Sequence, residues 1–282
     1  MSTALTIARL TVLEASRRKV VWALAVLTAV LLALNGWGFA QIPGMETDQL
    51  GQLTSGEARI IASILLNLVM FTMSLIVALG TAFLAGPTLS GELESGVGLA
   101  VLARPVRRAE VLFGKWLGLC AFAAGYVLVA GACEFLIVRL AVGYTPPKPV
   151  TALLLMIGES ILLLSLALLL SSALSPMASG VVAVGVFGAT WVAGVIGSIG
   201  QALGNDDVAR VGTISRVVLP TDGLWHGAMS ALQAPSVIDT KATLGNPFLS
   251  GDTLTPAYLA WVLLWLVLVL AVTATSFSRR DI

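Results

Sequence analysis

Apolar residues arrive in six long blocks along this chain, and the stretches between them hold most of its charge. The blocks cover roughly 20–40, 60–85, 116–142, 150–174, 178–203 and 256–276. Each is close to the ~20 residues that a helix needs to cross a bilayer core. Because lipid offers no partner for backbone polar groups, a spanning block this apolar is expected to be helical. The pattern therefore predicts an all-α, polytopic membrane protein with six transmembrane helices. Ahead of the first block, Ile7, Leu10, Val12 and Leu13 are interleaved with Arg9, Arg17, Arg18 and Lys19. That alternation predicts a basic amphipathic helix on the membrane surface, or else a basic tail that fixes topology.

The polar connections have individual characters. Gly86-Pro87 is expected to end the second spanning helix, since proline lacks an N–H and crowds the preceding turn. In the connection that follows, Leu89, Leu93, Val97 and Val101 recur every four residues, which predicts a short amphipathic helix. Pro146-Pro147-Lys148-Pro149 makes a stiff turn, and Ser175-Pro176 breaks the chain between blocks four and five. The segment 204–255 is too long for a simple loop. Its apolar content around Val217, Leu224 and Met229, interrupted at Pro220, predicts one or two short helices dipping into the outer leaflet. Thr221 or Asp222 would serve as an N-cap there.

Charge sets the orientation. The N-terminal stretch, the connection between blocks two and three and the C-terminal tail hold ten Lys or Arg residues. The alternate connections hold five, together with eight acids. Short cytoplasmic loops carry the basic excess, so both termini are expected inside. Trp22 and Trp37 lie near the ends of the first block, where indoles favour the interface.

Composition agrees: 57% of residues are hydrophobic and 11% charged, with a mean hydropathy of +0.96. A soluble chain is about 25% charged. A net charge of +1 gives no basis for nucleic acid as a partner. Cys120 and Cys133 are separated by about 20 Å of helix, too far for a disulfide, and read as packing residues. The first block lacks the small-residue cleavage site of a signal peptide. No G-x-x-x-x-G-K-[ST] loop is present, so any ATP would be bound elsewhere. No His, Cys, Asp and Glu grouping has metal-ligand spacing, and His226 has no evident partner. It reads as a packing histidine, with proton sensing or ligand contact as the other reading.

Three ionisable residues fall inside blocks: Glu134, Arg139 and Glu159. Charges in a bilayer are costly and are paired or functional. Counted along antiparallel helices, both carboxylates lie about 12–14 Å below the outer surface, with Arg139 a turn above. An interhelix salt bridge is expected, with a polar lining or proton-linked site as the alternative. Gly185, Ala189, Ala193 and Gly197 recur every four residues and predict a close-packing stripe. Asn67 offers a further buried polar contact.

The charged connection carries a resemblance. Gly91-Glu92-Leu93-Glu94-Ser95-Gly96, then Ala103-Arg104-Pro105-Val106-Arg107-Arg108-Ala109-Glu110 and Gly114-Lys115, resemble the loop between spans two and three of ABC transporter permeases of the type-2 exporter superfamily. Permeases that work with a separate ATPase, including that of the nitrous-oxide reductase maturation transporter, are similar. The resemblance implies an N-terminal elbow helix, a cytoplasmic coupling helix and external helices between spans five and six. It implies a pair of permeases, identical or paralogous, with two ATPase subunits that hold ATP and Mg, in the inner membrane of a prokaryote. Glu92, Glu94, Arg104, Arg107 and Arg108 would be the charged anchors on the ATPase. Membrane lipids are the remaining contact. An alternative is a subunit that drives an extracytoplasmic partner docked on 204–255 without moving a substrate.

Overall fold

The computed structural model describes residues 3–44, 46–47, 51–52, 54–94, 108–234, 248 and 254–279. Helix α1 is Thr3–Arg17 and α2 is Lys19–Gln41. A two-residue hairpin, Glu46–Thr47 against Gly51–Gln52, leads to α3, Ser55–Glu94. Then come α4, Arg108–Val142; α5, Pro149–Ser171; and α6, Pro176–Ala202. Two shorter helices, α7 (Asp206–Val218) and α8 (Thr221–Leu232), precede α9, Pro256–Arg279. Six helices, α2 to α6 and α9, are long and apolar enough to cross a membrane. The all-α architecture follows from the pattern of apolar blocks.

The turns obey local chemistry. Gly143 ends α4 with φ +70°, a left-handed conformation that glycine adopts without cost, and its N–H returns to Arg139 O (3.0 Å). Pro149 and Pro176 start α5 and α6 at positions where a missing N–H costs nothing. Asn205 caps α7 by accepting from the N–H groups of Asp207 and Val208.

Pro87 does not end the second spanning helix. The helix runs on to Glu94 with Pro87 inside it. Carbonyls on either side of the proline take donors from neighbouring elements, as described below. Of the expected amphipathic helix over 89–102, residues up to 94 are this extension and the rest lie outside the described residues.

Two large apolar cores and a smaller one, around Leu162, Leu224 and Val262, fill the described bundle. One, around Leu66, Met70, Met156, Trp225 and Met229, joins α3, α5 and α8. The other, around Ala82, Leu119, Leu164, Leu168 and Phe187, joins α3 to α6 nearer the opposite end. Helix α1 lies across α4 through small residues: a Cβ on Gly114 or Gly118 would approach the Ala4 or Ala8 carbonyl to 2.7 or 2.5 Å. Helix α2 packs more loosely, with Trp22 and Trp37 68% and 69% exposed near its ends. Cys120 is buried, Cys133 is exposed, and both are free thiols.

The segment after α6 forms a hairpin that re-enters the bundle. Helix α7 runs back along α6 so closely that a Cβ on Gly197 would lie 2.6 Å from the Gly212 Cα. Helix α8 then returns toward the α4–α5 turn and is buried almost throughout. Its end is pinned there. The Tyr144 hydroxyl donates to Leu232 O (2.6 Å) and lies 3.2 Å from Ser63 Oγ, which accepts from Ala234 N–H (2.9 Å). Burial pushes the Tyr144 phenol above its ordinary pKa, so it remains a donor. An aromatic cluster closes the same region: Phe71 stacks on Trp191 at 4.7 Å and meets Trp225 at 5.6 Å and Phe248 at 5.4 Å.

Candidate functional site

A helix that ends inside a membrane leaves carbonyls that no water can satisfy. Helix α7 ends this way, and α9 supplies the missing donors. Trp261 Nε1 donates to Val217 O (3.2 Å) and Trp265 Nε1 to Val218 O (2.8 Å). The Tyr258 hydroxyl reaches Arg216 O (3.4 Å) and Pro220 O (3.2 Å). Residues 258, 261 and 265 lie on one stripe of α9, so a single helix face caps the turn. Gly223 admits the tyrosine ring: a Cβ there would sit 2.1 Å from its hydroxyl oxygen.

That turn carries a cluster of charge. Arg216 Nε lies 2.9 Å from Asp222 Oδ2, with side chains 24% and 1% exposed. His226 Nδ1 is 2.9 Å from Asp222 O and 3.4 Å from the same carboxylate oxygen. The other oxygen of Asp222 occupies the gap above Gly194 of α6, where a Cβ would approach it to 2.4 Å. On α5, Glu159 is buried and accepts from Ser74 Oγ (2.9 Å). Eleven residues of helix separate Glu159 from Lys148 at the α4–α5 turn, about 16 Å, and ten separate Asp222 from Leu232, about 15 Å. By this count the cluster lies about 15 Å along the helices from the α4–α5 turn, inside the bundle.

The expected grouping of Glu134, Arg139 and Glu159 is corrected. Glu134 is fully buried, but its contact is Asn35 Nδ2 on α2 at 3.4 Å. Arg139 is exposed and makes no ion pair among the described residues. Five helical residues turn the chain by about 140° beyond a full circle, so Arg139 cannot share a face with Glu134. Depth along the helix was legible from the sequence; azimuth was not. The cation that does pair with a buried acid is Arg216, on Asp222, and the charge count had placed it in an outer loop.

Other expectations change with it. Asp222 does not cap α8; Pro220 occupies the N-cap position, with no side-chain cap bond, and Asp222 turns to Arg216. His226 has a partner, Asp222. Asn67 is buried and donates to Phe248 O (3.2 Å). The stripe Gly185, Ala189, Ala193, Gly197 does not form one contact face: Gly185 and Ala189 are exposed, Ala193 is half-buried and Gly197 is buried. A four-residue step overshoots a turn by about 40°, so the stripe winds around α6. The close contacts are made by Gly194, Gly197 and Gly200, three residues apart, against Asp222, Gly212 and the chain at Val208.

At the opposite end lie Arg17, Arg18, Lys19, Lys115 and Arg108, and this is the basic end of the bundle. Arg108, the first residue of α4, donates to Ser278 O near the end of α9 (3.2 Å), a cation on a helix C-terminus. Ser172 and Ser276 hydrogen-bond at 2.9 Å beside it. Glu92 and Glu94 lie in the last turn of α3. Arg104 and Arg107 lie outside the described residues.

A search of curated proteins returns no match. The sequence does match a family described as ABC-2 family transporter protein over residues 5–282. With six apolar helices joined as above, the chain belongs to that family and is the multi-pass membrane permease of an ABC transporter, a component that associates with an ABC ATPase subunit.

Proposed function

We propose that this permease is part of an ATP-driven exporter that moves a substrate across the cytoplasmic membrane of a prokaryote. Two permease copies, or a close paralogous pair, work with two copies of a separate ATPase. ATP and Mg belong to that partner, because the sequence holds no nucleotide-binding loop. The observation that carries the proposal is the long helix α3. It crosses the bundle and continues beyond its apolar stretch to Glu94, at the end where the basic residues gather. The excess of Lys and Arg supports a cytoplasmic location for that end and for both termini. The α3–α4 connection then faces the ATPase, with α1 packed against the start of α4 beside it. Glu92, Glu94, Arg104, Arg107 and Arg108 are the contacts, and closure of the ATPase pair on ATP moves this connection.

The test is charge reversal. In the co-expressed complex, the pair Glu92→Lys and Glu94→Lys leaves membrane insertion unchanged. It either releases the ATPase in pull-down or leaves hydrolysis running without transport. A double variant that retains its ATPase and transports at the normal rate overturns the assignment of these two carboxylates.

A further inference from the structure

Proline inside a helix removes one hydrogen bond and crowds the carbonyl four residues back, which makes it a place where the helix bends. Around Pro87 this soft point is held from several sides. Arg18, at the junction of α1 and α2, donates through Nη1 to Leu84 O (3.4 Å). Ser171, the last residue of α5, donates to Gly86 O. Lys115 of α4 is 8% exposed and donates through Nζ to Thr88 O (3.2 Å). The Thr88 hydroxyl turns back on Leu84 O (2.7 Å). On the fourth side there is no space: a Cβ on Gly86 would lie 2.8 Å from Pro176 O at the start of α6. Three carbonyls within five residues thus take donors from three other parts of the chain, and two of those donors are cations.

Each donor belongs to an element that continues elsewhere. Lys115 belongs to the helix whose first turn holds the end of α9 through Arg108. Ser171 sits next to Ser172, which bonds Ser276 of α9. Arg18 also bonds Glu14 of α1 (2.6 Å). A bend confined to the proline would break these bonds, and desolvated charge makes that costly.

We infer that Lys115, together with Arg18 and Ser171, acts as a positioning residue that clamps the Pro87 hinge. A displacement of the last turns of α3 is then passed to α4, α5 and α6 as a body instead of being absorbed by bending. This rests on the ATPase contact proposed above at the α3–α4 connection. Lys115 is the informative member, because methionine replaces its stem at similar length while removing the donor.

The experiment uses the complete permease–ATPase complex in nanodiscs. The permease carries Cys120→Ala and Cys133→Ala, and Ile199→Cys labelled with bimane. Ile199 is 42% exposed near the far end of α6, so its label reports motion remote from the clamp. In this background ATP plus vanadate shifts the bimane emission. Lys115→Met keeps the ATPase bound and hydrolysing but reduces the shift by about fivefold or more. Lys115→Arg, which can still donate to the same carbonyl, restores most of it; a purely structural role would leave the shift in step with ATPase binding. Ser171→Ala removes a single hydroxyl, gives an intermediate shift, and carries the test if Lys115→Met does not assemble. A full shift in Lys115→Met, or an unchanged one in Ser171→Ala, with the ATPase bound, overturns the clamp alone. A permease that in its Lys115 form binds no ATPase overturns the proposed function, and the clamp with it.

Discussion

Arg216 and Asp222 are six residues apart, on two different helices, and meet at 2.9 Å inside the helix bundle. The turn between them reverses the chain inside the bundle, so the ion pair closes a helical hairpin that enters and leaves by the same side. A guanidinium and a carboxylate at this depth hold each other's charge, and neither is tolerable there alone.

Removing one partner is therefore expected to harm more than removing both. Asp222→Asn or Arg216→Gln alone destabilises the detergent-solubilised protein by on the order of 3 kcal/mol. The double variant recovers part of that loss, because no lone charge remains. Thermal unfolding of the four proteins measures the coupling, and strictly additive losses reject the pair.

The tight crossing of α6 and α7 makes an opposite prediction for two glycines of one helix. Gly197→Ala puts a methyl 2.6 Å from the Gly212 Cα, and backbone cannot yield as a side chain can. The expected cost is about 1–3 kcal/mol. Gly185→Ala meets nothing within 4 Å and gains helix propensity, so its melting temperature stays level or rises, by about 0.5–1 kcal/mol of stability. Equal effects at both positions count against the hairpin packing.

The carbonyls of α7 give a third. Trp265→Phe keeps an aromatic ring but leaves Val218 O without its 2.8 Å donor. A loss of about 0.6–1.7 kcal/mol is expected, the range for hydrogen bonds between membrane helices. Trp37→Phe, at a position 69% exposed, should change stability by less than about 0.5 kcal/mol. Indistinguishable melting of the two variants shows that α9 does not cap α7.

Orientation is tested by accessibility. In a background without Cys120 and Cys133, Ser16→Cys in α1 and Asp207→Cys in α7 both expose a thiol, since both positions are open to solvent. An impermeant maleimide applied to intact cells labels Asp207→Cys, and Ser16→Cys reacts after the membrane is opened. Labelling of both from one side breaks the six-span arrangement.

How much of this was legible beforehand differs by element. Six apolar blocks, polar connections rich in proline and glycine, and the skewed Lys and Arg content were sufficient for the fold class, because a bilayer enforces length, helicity and charge placement on each segment separately. The Gly86–Lys115 stretch was likewise readable as a motif. These properties are local: each block meets the solvent or the lipid without reference to its neighbours.

What the tertiary structure decided concerns relations between segments. The sequence could place Glu134 and Glu159 at similar depth with Arg139 a turn above, yet the rotation of each helix about its axis sends Arg139 outward and leaves Glu134 with Asn35 and Glu159 with Ser74. It marked Pro87 as a stop, whereas the helix runs through it and the carbonyls on either side take donors from Arg18, Ser171 and Lys115, distant in sequence. It predicted one or two short helices around Pro220 dipping into the outer leaflet but not their ion pair, because Asp222 and Arg216 look solvated until each is seen to neutralise the other. A segment's own composition fixes whether it can cross a membrane; which buried charge it may carry depends on the partner that packing brings to it.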